Sequence, residues 1–288
     1  MKKNKTTFIM VLFFFIGLSI LFYPTISSIY NKKKQSKAIV DYESILKNYD
    51  ENKYQEEFKK AENYNQQLKA LKEPFSFYNS IKDYNNILNI GNNGMIGYIS
   101  ISKIKVNLPI FHGISESVLS KAVGHVEGSS LPIGGIGNHS VLSAHRGLPS
   151  STLFTELDKL EIGDIFVINV LDRELTYEID QIIIVNPNEI KYLKIDNNED
   201  YVTLITCTPY GINTHRLLVR GKRTENIKKD KYITSEAFKI SNLLVAPLIA
   251  TPIIILLLLI LLFKPIKNNK KIIDKHVYPK KEVKNDKS

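Results

Sequence analysis

The 288-residue chain holds a single cysteine, Cys207, so no internal disulfide is possible. Small exported domains without a sufficient core are usually stapled that way. This chain must rely on packing instead, for which 43% apolar residues and a modest glycine and proline content are enough. Histidine is scarce as well, with six in all, and none falls in an HxH or HExxH pattern; CxxC is also missing. The sequence therefore supports neither a metal site nor a bound cofactor. No internal repeat is present.

Charge of either sign is missing from residues 6–30 and again from 240–263. As helices, both stretches exceed the roughly 30 Å of a bilayer core. The first lacks a small-x-small cleavage site before Asn31 and reads as an uncleaved anchor. The second is apolar on every side over 253–263 and runs straight into a lysine-rich tail, so it reads as a second span.

The formal charge of +10 invites a nucleic-acid reading, but its placement removes it. Residues 264–288 carry nine lysines against Asp274, Glu282 and Asp286; together with Lys2, Lys3 and Lys5 they account for +9 of the +10. The part between the spans is nearly neutral, and no nucleic-acid partner is expected. The basic ends flank the membrane and predict a chain in the cell membrane with both termini cytoplasmic and residues 31–239 outside. Lys32, Lys33, Lys34 and Lys37 oppose this local bias, and the heavier C-terminal tail outweighs them.

The expected organisation is a cytoplasmic N-terminus (1–5), an anchor (6–30), a helical region (31–93), a β domain (94–223), a linker (224–239), a second transmembrane helix (240–263) and a cytoplasmic tail (264–288). In the helical region Ile39, Tyr42, Leu46 and Tyr49, then Tyr54, Phe58, Ala61, Asn65 and Leu68, recur at helical steps. The pattern should end near Glu73-Pro74, because a residue before proline is pushed out of helical geometry. From Gly94 onward short β-branched runs alternate with Gly, Pro and Asn: 96–101, 106–110, 140–144, 164–170, 175–185, 201–207 and 216–220. Such closely spaced strands point to a closed or nearly closed β-barrel.

Cys207 ends the alternating run 201–207, and Arg216 opens the next, nine residues on. If these strands pair antiparallel, the two residues share one rim. A guanidinium beside a thiol favours the thiolate and can hold an oxyanion. Taken alone, Cys207 reads as a buried small hydrophobe, and Arg216 as a solvated strand end. A reactive thiol also needs a proton partner. His276 lies in the tail, His112, His125 and His139 suit loop or packing roles, and His215 should face away from Arg216 on a strand. His145 closes the run 140–144 at a strand-to-loop junction.

The segments VTLITCTPYGINTHRLLVRGKR, VLSAHRGLPSSTLFTELDKL and VGHVEGSSLPIGG together resemble the sortases, and within them class C, the pilus-assembling branch found at Gram-positive cell walls. The likeness covers roughly residues 73–223, and it displaces the bland reading of Cys207. It implies a mainly β fold, an eight-stranded β-barrel, with Cys207 as nucleophile, His145 as proton donor and acceptor, and Arg216 as oxyanion stabiliser. Glu73-Pro74-Phe75 is similar to the lid of that class, with Glu73 where Asp is usual. The implied activity is transpeptidation: cleavage of LPXTG-like sorting signals on pilin or surface proteins through a thioester, then transfer to a pilin lysine. A housekeeping sortase acting on cell-wall precursor, a cysteine protease and a non-catalytic display module are the rivals. The run 131–135 superficially resembles a sorting signal but lies mid-domain and reads as a loop.

Overall fold

The computed structural model of the chain describes residues 2–226 together with 250, 251, 254 and 255. The chain divides into two compact units, Met1–Ser19 with Lys239–Ser288, and Ile20–Phe238. The expected second span, 240–263, lies almost wholly outside the described residues.

The anchor and the start of the helical region form one uninterrupted helix, α1 (Lys2–Lys47). Its portion Ile9–Lys47 is the one helix among the described residues long and apolar enough to cross a membrane. From Asn31 the helix leans on the barrel. Asn31 Nδ2 donates to Ser150 O (2.9 Å), and Gln35 Nε2 donates to Lys121 O (2.7 Å) and Ser151 Oγ (3.1 Å). Farther along, Tyr42 Oη donates to Ile96 O and accepts from Leu171 N, each at 2.9 Å.

Asp50 caps the next helix, α2 (Glu51–Ala70), by accepting from Asn52 N. Phe58, Ala61, Tyr64 and Leu68 form its buried face, as the helical spacing requires. Burial of each large member is worth about 1.5–3 kcal/mol. Asn65 on that face brackets Leu131, accepting from its N–H (2.7 Å) and donating to its carbonyl (3.2 Å). With Leu131 and Ile133 buried and Gly135 N donating to Asp200 at 2.7 Å, the run 131–135 is a packed loop.

Eight strands close into a barrel: β1 (Met95–Ile101), β2 (Val106–His112), β3 (Val123–His125), β4 (Asn138–Ser143), β5 (Ile165–Val170), β6 (Arg173–Val185), β7 (Asp200–Thr208) and β8 (His215–Arg223). Their order around the barrel is β1-β2-β3-β4-β7-β8-β6-β5. The pairs β2–β3 and β4–β7 are parallel, and the others antiparallel. Seven strands fall where sequence alternation predicts them, within a few residues at each end. Only three residues long, β3 leaves no period-two signal to read. Closure leaves no exposed sheet edge and puts Ile99, Ile168, Leu204 and Val219 in one continuous core.

Candidate active site

Along β7, Val202, Leu204, Thr206 and Thr208 are buried, while Tyr201, Ile205 and Cys207 are half-exposed on the other face. Pairing with β8 makes Arg216 the register partner of Cys207, and Leu218 that of Ile205. Opposed residues in a ladder point to the same face, so Cys207 and Arg216 leave the sheet side by side. Arg216 Nη1 donates to the carbonyls of His215 (3.1 Å) and Asn213 (3.4 Å), which ties the start of β8 to its own turn.

His145 reaches the same rim from the opposite side of β7. The parallel register of β4 and β7 ends at Ser143 opposite Ile205. Ala144 N extends it by donating to Ile205 O (3.2 Å), and Thr206 Oγ1 donates back to Ala144 O (2.9 Å). One step farther, His145 is level with Cys207, its carbonyl fixed by Phe154 N at 3.2 Å. Its Nε2 lies 3.1 Å from Glu116 Oε2, on the short helix α4 (Glu116–Leu119). Residues 145, 207 and 216 thus stand at one end of three adjacent strands.

The other histidines occupy different surroundings. His125 is fully buried, with Nδ1 2.8 Å from Tyr84 Oη and Nε2 2.8 Å from Ser130 O; burial pushes its pKa down to about 3. His139 is enclosed between Lys194 O (2.8 Å) and Thr203 Oγ1 (2.7 Å), and burial pushes it down to about 4. Burial likewise lowers His112, whose Nδ1 lies 3.1 Å from Gly94 O. His215 is exposed and touches Thr214 Oγ1 at 2.9 Å. A histidine held neutral at physiological pH by burial makes a poor proton carrier at a surface rim. Among the described residues no group of three or more His, Cys, Asp or Glu is placed to hold a metal ion.

Pro74 starts a four-residue helix, α3 (Pro74–Phe77), as its missing N–H and fixed φ favour. Phe75 packs on the buried cluster of Val141, Val185, Leu193 and Leu218, which Ile205, two residues from Cys207 on the same strand face, also joins. Segment 71–76 forms one wall of an open cleft of about 740 Å³, and residues 188–197 form the other. Among the described residues no ion pair joins Glu73 to Arg216.

Four side chains at this rim escaped sequence reasoning: Glu116, Arg146, Asp158 and Tyr210. The Arg146 side chain is 8% exposed; it pairs with Asp158, donates to Thr208 Oγ1 (3.3 Å) and lies 5.8 Å from the Tyr210 ring centre. Gly147, at φ 78°, makes room for that ring, since a Cβ there would be 3.1 Å from it. The connection carrying His145 is thereby locked to the turn that follows Cys207. Arg146 and Tyr210 were signalled only by their nearness to His145 and Cys207, and Glu116 and Asp158 by nothing in the sequence.

A closed barrel whose half-exposed cysteine stands at a strand end, opposite an arginine in one ladder and level with a histidine beyond the other, defines a β-barrel protein with a single-cysteine rim. The sortase domain family matches residues 99–224. Sortase C1 from Streptococcus agalactiae is 47% identical, with a TM-score of 0.61, covering 66% of this chain and 100% of that one. Sortase C from Clostridium perfringens is 41% identical, with a TM-score of 0.56, covering 66% of this chain and 99% of that one. Sortase D of Bacillus subtilis is 32% identical over 130 residues, 44% of this chain and 63% of that protein's length. The chain belongs to the sortase family, and its structural neighbours are class C members.

Proposed function

We propose that the protein is a membrane-anchored cysteine transpeptidase of the class C type, which joins LPXTG-like sorting signals to a pilin lysine. The observation that carries this reading is the register that makes Arg216 the partner of Cys207 while the β4–β7 ladder brings His145 level with it. The class C neighbours support the pilus-specific part. One of them, a Clostridium perfringens sortase C, was solved with the C-terminal cell wall sorting motif.

The chemistry follows from these groups. The Cys207 thiolate attacks the threonine carbonyl of the Thr–Gly bond, and the resulting oxyanion faces Arg216. Collapse breaks the C–N bond as His145, protonated, gives its proton to the glycine amine, leaving a thioester on Cys207. A lysine ε-amine then attacks the thioester carbonyl and passes a proton to His145. The C–S bond breaks, an isopeptide forms and the thiolate returns. By this reading α1 is the N-terminal anchor, residues 240–263 the second span, and the barrel faces outward.

Incubating the protein with a pilin carrying a sorting signal and an acceptor pilin, then mapping cross-links by mass spectrometry, tests the reading. A lysine isopeptide at the threonine is expected. Hydrolysed signal alone would favour a protease, and exclusive transfer to cell-wall precursor a housekeeping sortase.

A further inference from the structure

Every residue of the turn joining β7 to β8, 209–214, is exposed, as is His215 at the start of β8. Two of them are large and apolar, Tyr210 at 59% and Ile212 at 68% exposed. The turn carries no formal charge apart from what His215 can acquire. Tyr210 gives part of its ring to Arg146 and Gly147 yet stays more than half exposed, and a tyrosine near an isoleucine at an exposed tip is costly to leave in water.

The tip sits at a particular end of the molecule. Strand β7 runs from Asp200 to Thr208, so the turn lies at the active-site end. Helix α1 enters at that same end, because Asn31 and Gln35 bond to Ser150 and Ser151 in the connection after β4, whereas Tyr42 bonds to Ile96 and Leu171 farther along. That connection also holds the tip, through Arg146 and Gly147 against Tyr210. Immediately before Asn31, the helix exposes Ile20, Tyr23, Ile26, Ile29 and Tyr30, between 56% and 70% each. Eleven residues of helix make about 16 Å of apolar surface leading away from the active-site end. Between that surface and the barrel come exposed Lys32, Lys33, Lys34 and Lys37, with the Lys34 ammonium 4.7 Å over the Tyr30 ring. A tyrosine followed by a lysine cluster is the composition of a headgroup layer.

We propose that the β7–β8 turn is a second membrane contact: Tyr210 and Ile212 dip into an anionic bilayer surface whose headgroups meet Lys32, Lys33, Lys34 and Lys37, so the active-site end faces the lipid. This rests on the reading of α1 as an anchor and adds to it an orientation and a lipid-binding loop. It also gives the lysines that oppose the topology bias a partner. An acidic protein would meet the lysines equally well, but not the apolar helix surface that continues from them; a bilayer meets both.

The test uses the full chain in nanodiscs. Because Cys207 is the sole cysteine, a Cys207→Ala background accepts one polarity-sensitive thiol dye at Ile212→Cys or, as a control at the far end of β7, at Ile136→Cys. Both positions are exposed. With phosphatidylcholine and phosphatidylglycerol discs containing lipids spin-labelled near the headgroup, dye at position 212 should be quenched several-fold more than dye at 136, and less in phosphatidylcholine alone. Equal quenching at 212 and 136 overturns the proposal, and so does quenching at 212 that appears only after a sorting-signal protein is added. Equal quenching in the two lipid mixtures overturns the lysine–headgroup part. Extraction of the whole chain from vesicles by alkaline carbonate would instead remove the anchor reading, and this inference with it.

Discussion

Gly128 and Phe75 touch backbone to backbone: a β-carbon at Gly128 would stand 2.8 Å from Phe75 Cα and 3.0 Å from Pro74 O. No flexible side-chain tip is there to yield, so the segment 73–77 would have to lift. Gly128→Ala is therefore expected to speed alkylation of Cys207 by a small reagent, at a stability cost of about 1 kcal/mol or more from its φ of +86°. Phe75→Ala should give the same acceleration with little change in melting temperature. Identical alkylation rates in parent and both variants would show that the segment does not shield the thiol.

Cys207→Ala and His145→Ala are expected to stop cross-linking while leaving the melting temperature nearly unchanged, since both side chains sit at a rim and fill little core. His125→Ala should behave oppositely. It removes the ring partner of the Tyr84 hydroxyl, which keeps the His125 carbonyl and Gly113 N, and leaves the Ser130 carbonyl without its imidazole, costing about 1–3 kcal/mol, yet leaves turnover of the folded fraction close to normal. Thermal melts with a single-turnover thioester assay separate the cases. Loss of chemistry in folded His125→Ala would transfer the proton role away from His145.

Arg216→Lys keeps a positive charge and loses the planar fork. A fall in turnover of about 10²-fold, on the scale of about 3 kcal/mol for a lost oxyanion donor, is expected in steady-state kinetics with little change in KM. Turnover within a few-fold of the parent would reduce Arg216 to a source of bulk positive potential.

Acid should destabilise the fold through its buried imidazoles. Burial pushes His125 down to about 3 and His139 to about 4, below the unfolded value near 6.5. The unfolded chain binds more protons in that window, so the stability these residues confer as neutral groups is intact above about pH 6.5. It is lost as pH falls toward 4, by about 1.4 kcal/mol per pH unit for each histidine. Asp200, raised by burial, pulls weakly the other way as it gains its proton. Urea midpoints from neutral to mildly acidic pH should show the decline, and His125→Gln should flatten it.

Alternation in 201–207 and 216–220 made the strands around the site legible, and a nine-residue gap was short enough to imply their pairing. The partnership of β4 with β7 was not legible from periodicity, because a parallel pair separated by 62 residues leaves no turn signature; only the motif resemblance placed His145 there. Glu116 and Asp158 were invisible for a different reason. Each is a single carboxylate on a short surface element, and nothing in composition distinguishes it from a solvated charge. The helix boundary at Tyr30 was drawn where apolar composition ends, but backbone geometry ignores composition there, and α1 continues to Lys47. The likeness of Glu73-Pro74-Phe75 to a lid came from a motif, and how Phe75 packs against the barrel is not encoded in sequence spacing.

The parallel partnership of β4 and β7 has a consequence for biogenesis. A chain that is exported from its N-terminus presents β1 to β6 before the thiol exists on the outer side. Strand β7 then has to insert between β4, already 62 residues behind it, and β8, not yet delivered. Non-local pairing of this kind is slow compared with hairpin closure. On that reading Cys207 would reach its working place only when nearly the whole domain has been threaded and the barrel closes. Under the proposed function, a truncated or stalled chain would expose strands without a working centre, and the cell envelope would be spared indiscriminate acyl transfer by unfinished enzyme.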